Sequence, residues 1–339
     1  MSAAQLRVGI DIGGTKTDAV AIDTDGHVVH ELHIATGFGA ESVLATAVAA
    51  VEGLARAAGR TPETFVSIGI GIPGAVDVAS GRVERAVNMG LSGLDLGTEL
   101  AARLGRAVRV ENDVNAAALG AFSLLGRTST QSMAYLNLGT GLAAGLVLGG
   151  RLWRGSRGVA GEIGHIPVDP AGPLCPCGQR GCLELMASGS AVARQWPTDE
   201  PKPVRALFAA ADAGDELAMQ VRRRLVENVA AAVRLLVLTV DVDDVVIGGG
   251  LSSLGEVLLE EVRAVLERWA ADSEFLASLE LSQRVALVPS GSNAAAIGAA
   301  LTGALPVVAT APVVEHVETA PVVEPVATAP VVEPVETGA

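Results

Sequence analysis

Leu6-Arg-Val-Gly-Ile-Asp11-Ile-Gly13-Gly14-Thr15-Lys16-Thr-Asp-Ala-Val-Ala-Ile-Asp23 reads as strand, glycine turn, strand. Apolar and polar residues alternate over Leu6–Ile12, Gly13-Gly14-Thr15 turn the chain, and Thr17–Asp23 returns. A third strand is expected over His27–Ile34, after the turn Thr24-Asp25-Gly26. The same grammar recurs at Ser132–Leu138, Gly139-Thr140-Gly141 and Leu142–Leu148. Each turn alone reads equally as a plain hairpin, since glycine motifs match by chance often. Two such units, each opening one half of the chain, point instead to a duplicated α/β fold with a nucleotide between the halves. Gly-Gly-Thr offers bare backbone N–H groups and a hydroxyl, a suitable nest for phosphate. Asp11, at the end of the first strand, is placed to hold a metal ion or its water shell beside that phosphate.

Two look-alikes are set aside. Gly9 to Gly14 has the spacing of a P-loop, but Thr15 precedes Lys16 and a strand follows where a helix is needed. Gly69-Ile-Gly71-Ile-Pro73-Gly74 matches a dinucleotide fingerprint in letters only, because Pro73 and the strand-like residues after it do not open a helix.

Between the two units the spacing predicts a helix over 41–58, a buried strand over 65–72 and short strands near 75–78 and 82–87. A helix over 96–104 stops at Gly105, a strand covers 107–110, and an alanine-rich helix runs over 116–125. Glu111-Asn112-Asp113 therefore lies where a strand meets a helix N-terminus. There a carboxylate is favoured by free N–H groups, either as a simple cap or as a base at the mouth of a cleft. After the second unit, helices are expected over 203–213, 216–240, 256–270 and 293–301, and strands over 242–247 and 285–288. Gly248-Gly249-Gly250 leaves a strand at a helix start, as a tight turn or as a surface that a base or ribose approaches closely. Strands alternating with helices over some 300 residues mean α/β architecture.

The least ordinary stretch is 161–184. All three cysteines, Cys175, Cys177 and Cys182, fall within eight residues, with His165 a short loop upstream. Three thiolates and one imidazole complete the closed tetrahedral shell of a structural zinc site. An odd count packed so closely argues against a disulfide framework. With no vacant position the metal staples a loop, and Glu162 and Glu184 bracket that staple.

The formal charge of −14, from 24 basic and 38 acidic residues, disfavours a nucleic-acid partner. No apolar run approaches the roughly 20 residues needed to span a bilayer. The strand pattern starting at Leu6 leaves no room for a signal peptide, and free thiols suit a reducing compartment, so a cytoplasmic protein is expected. Residues 306–339 carry three copies of a nine-residue unit, Ala311–Thr319, Ala320–Thr328 and Ala329–Thr337, rich in Pro, Val and Glu. Such a tail is expected to be extended and disordered, as a solubilising segment or a partner tag.

Taken together, these motifs resemble the ROK family (repressors, open reading frames and sugar kinases) of the actin-like ATPase superfamily, over about residues 6–303. The likeness rests on Asp11-Ile-Gly-Gly-Thr-Lys-Thr17, Glu111-Asn-Asp113, Gly139-Thr-Gly141, Glu162-Ile-Gly-His165 and Cys175-Pro-Cys-Gly-Gln-Arg-Gly-Cys182-Leu-Glu184. The resemblance implies a duplicated actin-like (ribonuclease H-like) fold, with a small lobe over 1–112, a large lobe over 113–305 and the tail beyond. It implies a glucokinase-like enzyme of carbohydrate metabolism that uses ATP and magnesium, often as a homodimer or higher homo-oligomer. Asp113 matches the catalytic base for the sugar hydroxyl. Asn112, Glu162, His165 and Glu184 match sugar-binding positions, His165 doubling as a zinc ligand. Asp11, Gly13, Gly14, Thr15, Lys16 and Gly139, Thr140, Gly141 match the phosphate loops, and Gly248, Gly249, Gly250 the adenosine side.

Two departures stand out. Leu142-Ala143-Ala144 precede Gly145 where further glycines are usual, so two methyl groups are expected to crowd the second turn. The stretch Asn88–Leu94 lacks the aromatic that many glucokinases carry there. Glucose is the leading substrate, with N-acetylglucosamine or N-acetylmannosamine as alternatives. A sugar-responsive repressor is disfavoured because such members carry a DNA-binding domain ahead of the first strand. A sugar-binding regulator without catalysis is the remaining alternative.

Overall fold

Residues 5–304 are described in a computed structural model, and the repeat tail expected to be disordered lies outside them. The first half opens with the expected meander, β1 (Arg7–Ile12), β2 (Lys16–Ile22) and β3 (Val28–Ala35), all antiparallel. The chain then crosses through helix α1 (Ala40–Ala57) to β4 (Ser67–Ile72), which pairs parallel with β1. A small antiparallel sheet follows, β5 (Ala75–Asp77), β6 (Arg82–Ala86) and β7 (Leu91–Leu94). Helix α2 (Leu96–Leu104) leads to β8 (Val108–Asn112), parallel to β4. The sheet order is β3-β2-β1-β4-β8.

Helix α3 (Asp113–Leu124) follows directly, and the second half repeats the pattern. β9 (Met133–Leu138), β10 (Leu142–Leu148) and β11 (Arg151–Trp153) form a second antiparallel meander. The cysteine-bearing stretch leads into the short helices α4 (Glu184–Ala187) and α5 (Gly189–Gln195), then α6 (Pro203–Asp212) and the long α7 (Glu216–Val240). β12 (Asp244–Gly248) pairs parallel with β9, α8 (Glu256–Ala271) and α9 (Glu274–Ser278) follow, and β13 (Val285–Leu287) pairs parallel with β12. The order β11-β10-β9-β12-β13 matches the first sheet strand for strand. The duplication expected from two glycine turns is therefore present in topology.

Each sheet builds its own apolar core. β4 is buried along its whole length, its isoleucines packing with Val8, Ile10 and Ile12 of β1 beneath α1 and α2. The second sheet packs α6, α7 and α8 against Leu136, Leu138, Val245 and Ile247. Among the described residues no helix is long and apolar enough to cross a membrane.

The last helix, α10 (Ala294–Gly303), returns to the first sheet and packs on β1, β2, β4 and α3. It comes close enough to need glycine on both sides. A methyl group on Gly298 would collide with the backbone carbonyl of Ala116, and one on Gly120 with that of Ala294. On its other flank α3 lies against β10, where a methyl on Gly145 would come within 2.6 Å of the Val114 carbonyl. Helix α3 is thus gripped between α10 and the second sheet.

The sequence places a strand over 107–110 and a helix over 116–125, whereas β8 runs to Asn112 and α3 starts at Asp113. The reason is the cap: Asn112 Oδ1 accepts the N–H groups of Val114 and Asn115 at 3.0 and 3.1 Å. β7, β11, α4, α5 and α9 are additions that short, glycine-broken segments do not announce by periodicity.

Gly298→Ala should lower unfolding free energy by about 3 kcal/mol, since the added methyl meets backbone that cannot move aside. Chemical denaturation measures it; an unchanged midpoint would show that α3 and α10 are less tightly apposed.

Candidate active site

Gly71 on β4 is the pivot of the site. A methyl placed there would lie 3.5 Å from Asp113 Cα, 3.7 Å from Asp11 Oδ1 and 3.3 Å from the Ala116 methyl. Asp11 at the end of β1 and Asp113 at the start of α3 thus both lie beside Gly71, near enough for the charge of Asp113 to act on Asp11. Burial is the main force raising both carboxyls. Asp113 is pushed to about 6, with a further rise from the charge of Glu162, opposed by the Val114 N–H. Asp11 is pushed to about 7 by burial, then by Asp113 and by Asp18, its cross-strand neighbour. The folded chain therefore holds protons that an unfolded chain has released. These two groups lower stability as pH climbs from about 4 through about 7. Two carboxyls whose charges interact favour a cation nearby, and they offer the hard oxygen ligands that magnesium takes.

Asn112 is half-buried and largely committed to the scaffold. Its carbonyl caps α3 and its amide donates to Gly74 O at 3.2 Å, leaving one amide N–H for a ligand. Glu162 is exposed ahead of a 3-10 turn, Ile163–His165. Glu184 opens α4, where its carboxylate accepts the Leu142 N–H at 3.1 Å. That side chain presses against Gly141, leaving no room for a Cβ there. Glu184 so buttresses the turn between β9 and β10.

The first turn is closed by Gly13 N–H donating to Lys16 O at 2.9 Å, with Gly14 and Thr15 exposed. Lys16 points elsewhere: its ammonium lies 2.8 Å from Asp18 and is largely exposed. In the second turn, Gly139 O and Thr140 O accept N–H groups from Gly189 and Ser190 at the start of α5. The crowding expected from Ala143 and Ala144 does not occur. Ala144 is buried in the core of the second sheet and Ala143 packs toward Val114 and Met133, so both methyls point away from the turn. The third turn is clasped to β9: Gly249 has φ of 77° and its N–H donates to the Tyr135 hydroxyl at 3.2 Å. A side chain on Gly248 would strike that ring, whereas Gly250 faces open space.

Tyr135, the single tyrosine, was not visible as a site residue in the sequence. Its phenol is pushed up to about 12, chiefly by burial and then by the charges of Asp11 and Asp113. It links the third glycine turn to the carboxylate pair. Its solitary occurrence was the signal available. Glu111, one residue before Asn112, is also fully buried with a partner on Arg154, and a charged residue in a buried strand was the signal there.

His165, Cys175, Cys177 and Cys182 come together with one ligand atom each, all within 4.8 Å. No disulfide joins the cysteines. The Cys177–Cys182 sulfur separation is 3.6 Å and Cys175 Sγ lies 3.8 Å from His165 Nδ1. A tetrahedron with zinc–sulfur bonds near 2.3 Å has edges of about 3.8 Å. Sulfur charges so close need a cation: hydrogen bonds from Gln179 draw Cys177 down to about 6, while burial pushes Cys182 up to about 12. The donor set fits zinc. Backbone hydrogen bonds from Val168 N to Gly181 O and from Leu183 N to Ile166 O join the two sides of the loop. The loop then delivers Glu184 two residues after Cys182.

The model of the ROK family matches residues 7–303. The glucokinase of Streptomyces coelicolor is 34% identical over 283 residues, covering 78% of this chain and 88% of that protein. Among solved structures, a ROK hexokinase from Thermus thermophilus superposes with a TM-score of 0.72 at 33% identity, over 88% of this chain and 98% of that one. A ROK family glucokinase from Streptomyces griseus, solved in complex with glucose and AMPPNP, gives 0.71 at 33% identity, over 88% and 99%. The paired sheets are thus the duplicated actin-like fold of these structures. A match spanning both sheets, both glycine turns and the metal loop leaves one assignment: the chain belongs to the ROK family.

Proposed function

We propose that this protein is an ATP-dependent hexose kinase that phosphorylates the primary hydroxyl of a hexose, glucose foremost. The observation that carries the reading is the pair of buried carboxyls, Asp11 and Asp113, both beside Gly71, with the charge of Asp113 acting on Asp11. Phosphoryl transfer asks a protein mainly for positioning and for neutralisation of charge. Asp113 accepts the proton of the sugar hydroxyl as its oxygen bonds to the γ-phosphorus and the bond to the ADP oxygen breaks. A base with a pKa near 6 is a better proton acceptor than an ordinary aspartate, yet is ionised at neutral pH.

Asp11 is the residue that would hold magnesium, which supplies charge neutralisation on the triphosphate when bound. With the Gly13 and Gly139 N–H groups closing their own turns, the N–H groups of Gly14 and Thr15 and of Thr140 and Gly141 receive phosphate oxygens, and Gly250 at the open end of the third turn receives the adenosine side. Lys16 contributes long-range positive charge rather than a direct phosphate contact, given its pairing with Asp18. Glu162, His165, Glu184 and the free amide N–H of Asn112 hold the sugar hydroxyls. Zinc on His165 and the three cysteines fixes the loop that carries them. The lobes meet at the β8–α3 junction, residues 112 and 113, with α10 returning to the small lobe. The same placement of the base makes a non-catalytic regulator the poorer reading.

In a coupled assay over a hexose panel, kcat/KM for the preferred sugar should fall as pH drops from about 7 through about 6, as Asp11 and then Asp113 take up protons. Asp113→Asn should cut kcat by a factor of roughly 10²–10⁴. At neutral pH it should be as stable as the parent or more so, because an ionised carboxylate is removed from an environment that opposes it. A variant keeping more than about a tenth of the parent rate would remove Asp113 from this role.

Metal analysis of protein purified without chelator should find about one zinc per chain. Stripping it, or Cys177→Ser, should lower the melting temperature and raise the sugar KM while leaving the ATP KM in place. Full sugar affinity in a metal-free preparation would contradict the stapling role.

A further inference from the structure

Glu111 sits in β8 with no exposed surface, and a lone carboxylate so buried would be untenable. All of its oxygens are satisfied. Oε1 accepts the Asn115 amide at 3.0 Å and the Asn112 N–H at 3.1 Å. Oε2 accepts Arg154 Nε at 2.8 Å and Nη2 at 2.5 Å. Arg154 comes from the other half of the chain, immediately after the edge strand β11. The pair is therefore a forked, charge-assisted link between the two sheets.

Both ends of the link run straight into the site. Glu111 is two residues before Asp113, and its Oε1 contacts hold the first turn of α3. Arg154 O accepts the Ala160 N–H at 3.2 Å and so closes the loop 154–160. The next residue, Gly161, is pinned by Ala144 N–H at 2.8 Å, and Glu162 follows. Glu162 in turn is close enough for its charge to raise Asp113. Apolar residues of similar volume often replace a buried ion pair without loss of stability, so stability alone does not account for this one. What an apolar pair cannot do is fix direction and distance between two loops.

Resting on the kinase reading above, we propose that Glu111 and Arg154 are a positioning pair that sets the spacing between Asp113 and Glu162, and hence the fit of the sugar. Arginine is required because a lysine keeps the charge but cannot make the fork.

Arg154→Lys should lower kcat/KM for the hexose by about tenfold or more, since a misplacement near 1 Å has effects of this order. Its ATP KM should stay within about twofold of the parent, with the melting temperature little changed. Arg154→Ala should be weaker still and recover several-fold when methylguanidinium is added, as the arginine side chain is 26% exposed and the ion has a route in. Amide exchange in Arg154→Lys should quicken at residues 155–162 and 111–115 together. Parent-like kinetics in Arg154→Lys overturns the proposal, as does parallel loss of sugar affinity, ATP affinity and melting temperature without rescue. The parent assayed alongside separates the two readings. A parent silent on every hexose sinks the kinase assignment, and coupled or uncoupled exchange at the two segments then decides for or against the pair.

Discussion

Two carboxylates held in one poorly solvated cleft repel each other, and much of this molecule is arranged to keep them there. Asp11 ends a strand of the first sheet and Asp113 begins the helix that joins the sheets. Gly71 of β4 lies beside both, within van der Waals reach of the Asp11 carboxylate and the Asp113 backbone. Burial raises both above the usual carboxylate range, helped at Asp11 by the charge of Asp113 and at Asp113 by that of Glu162, which marks the place as a receptor for a cation and for a proton. A chain without such a purpose would place an apolar residue at one of these positions.

Holding that arrangement falls to backbone contacts that glycine alone permits. α3 cannot shift, because α10 meets it through Gly120 and Gly298 while β10 meets it through Gly145. The alanine- and glycine-rich character of both helices follows from that need for closeness. The other part of the site is organised differently, by the loop of His165 and the three cysteines and by Glu184, whose carboxylate binds Leu142 N–H and fills the space beside Gly141. One is held by packing, the other by hydrogen bonds and a cluster of four ligand atoms suited to zinc.

Much of this was legible in the residues. The strand–turn–strand units at 6–23 and 132–148 told of duplication, and each became the opening meander of a sheet with the same strand order. The spacing of His165, Cys175, Cys177 and Cys182 told of a four-ligand cluster, and those atoms do converge. Less legible was anything decided by contacts distant in the chain. The start of α3 moved to Asp113 because the Asn112 side chain serves as cap, a choice that periodicity in an alanine-rich helix does not reveal. The methyls of Ala143 and Ala144 were harmless because strand alternation turns them into two separate cores. Lys16 was drawn to Asp18, one strand pleat away, rather than to the turn. Glu111 finds Arg154 only once the second sheet's edge folds back on β8.

The central claim is that one sugar hydroxyl lies between Asp113 and the transferable phosphate. It is tested most directly by a crystal structure of the parent protein with glucose, magnesium and a non-hydrolysable ATP analogue. The account predicts the primary hydroxyl oxygen within about 3.2 Å of the Asp113 carboxylate and aligned with the γ-phosphorus. It also predicts Asp11 on the metal side and Glu162 on the ring hydroxyls. A sugar bound with that hydroxyl turned away from Asp113, or bound outside the cleft at Gly71, would contradict it.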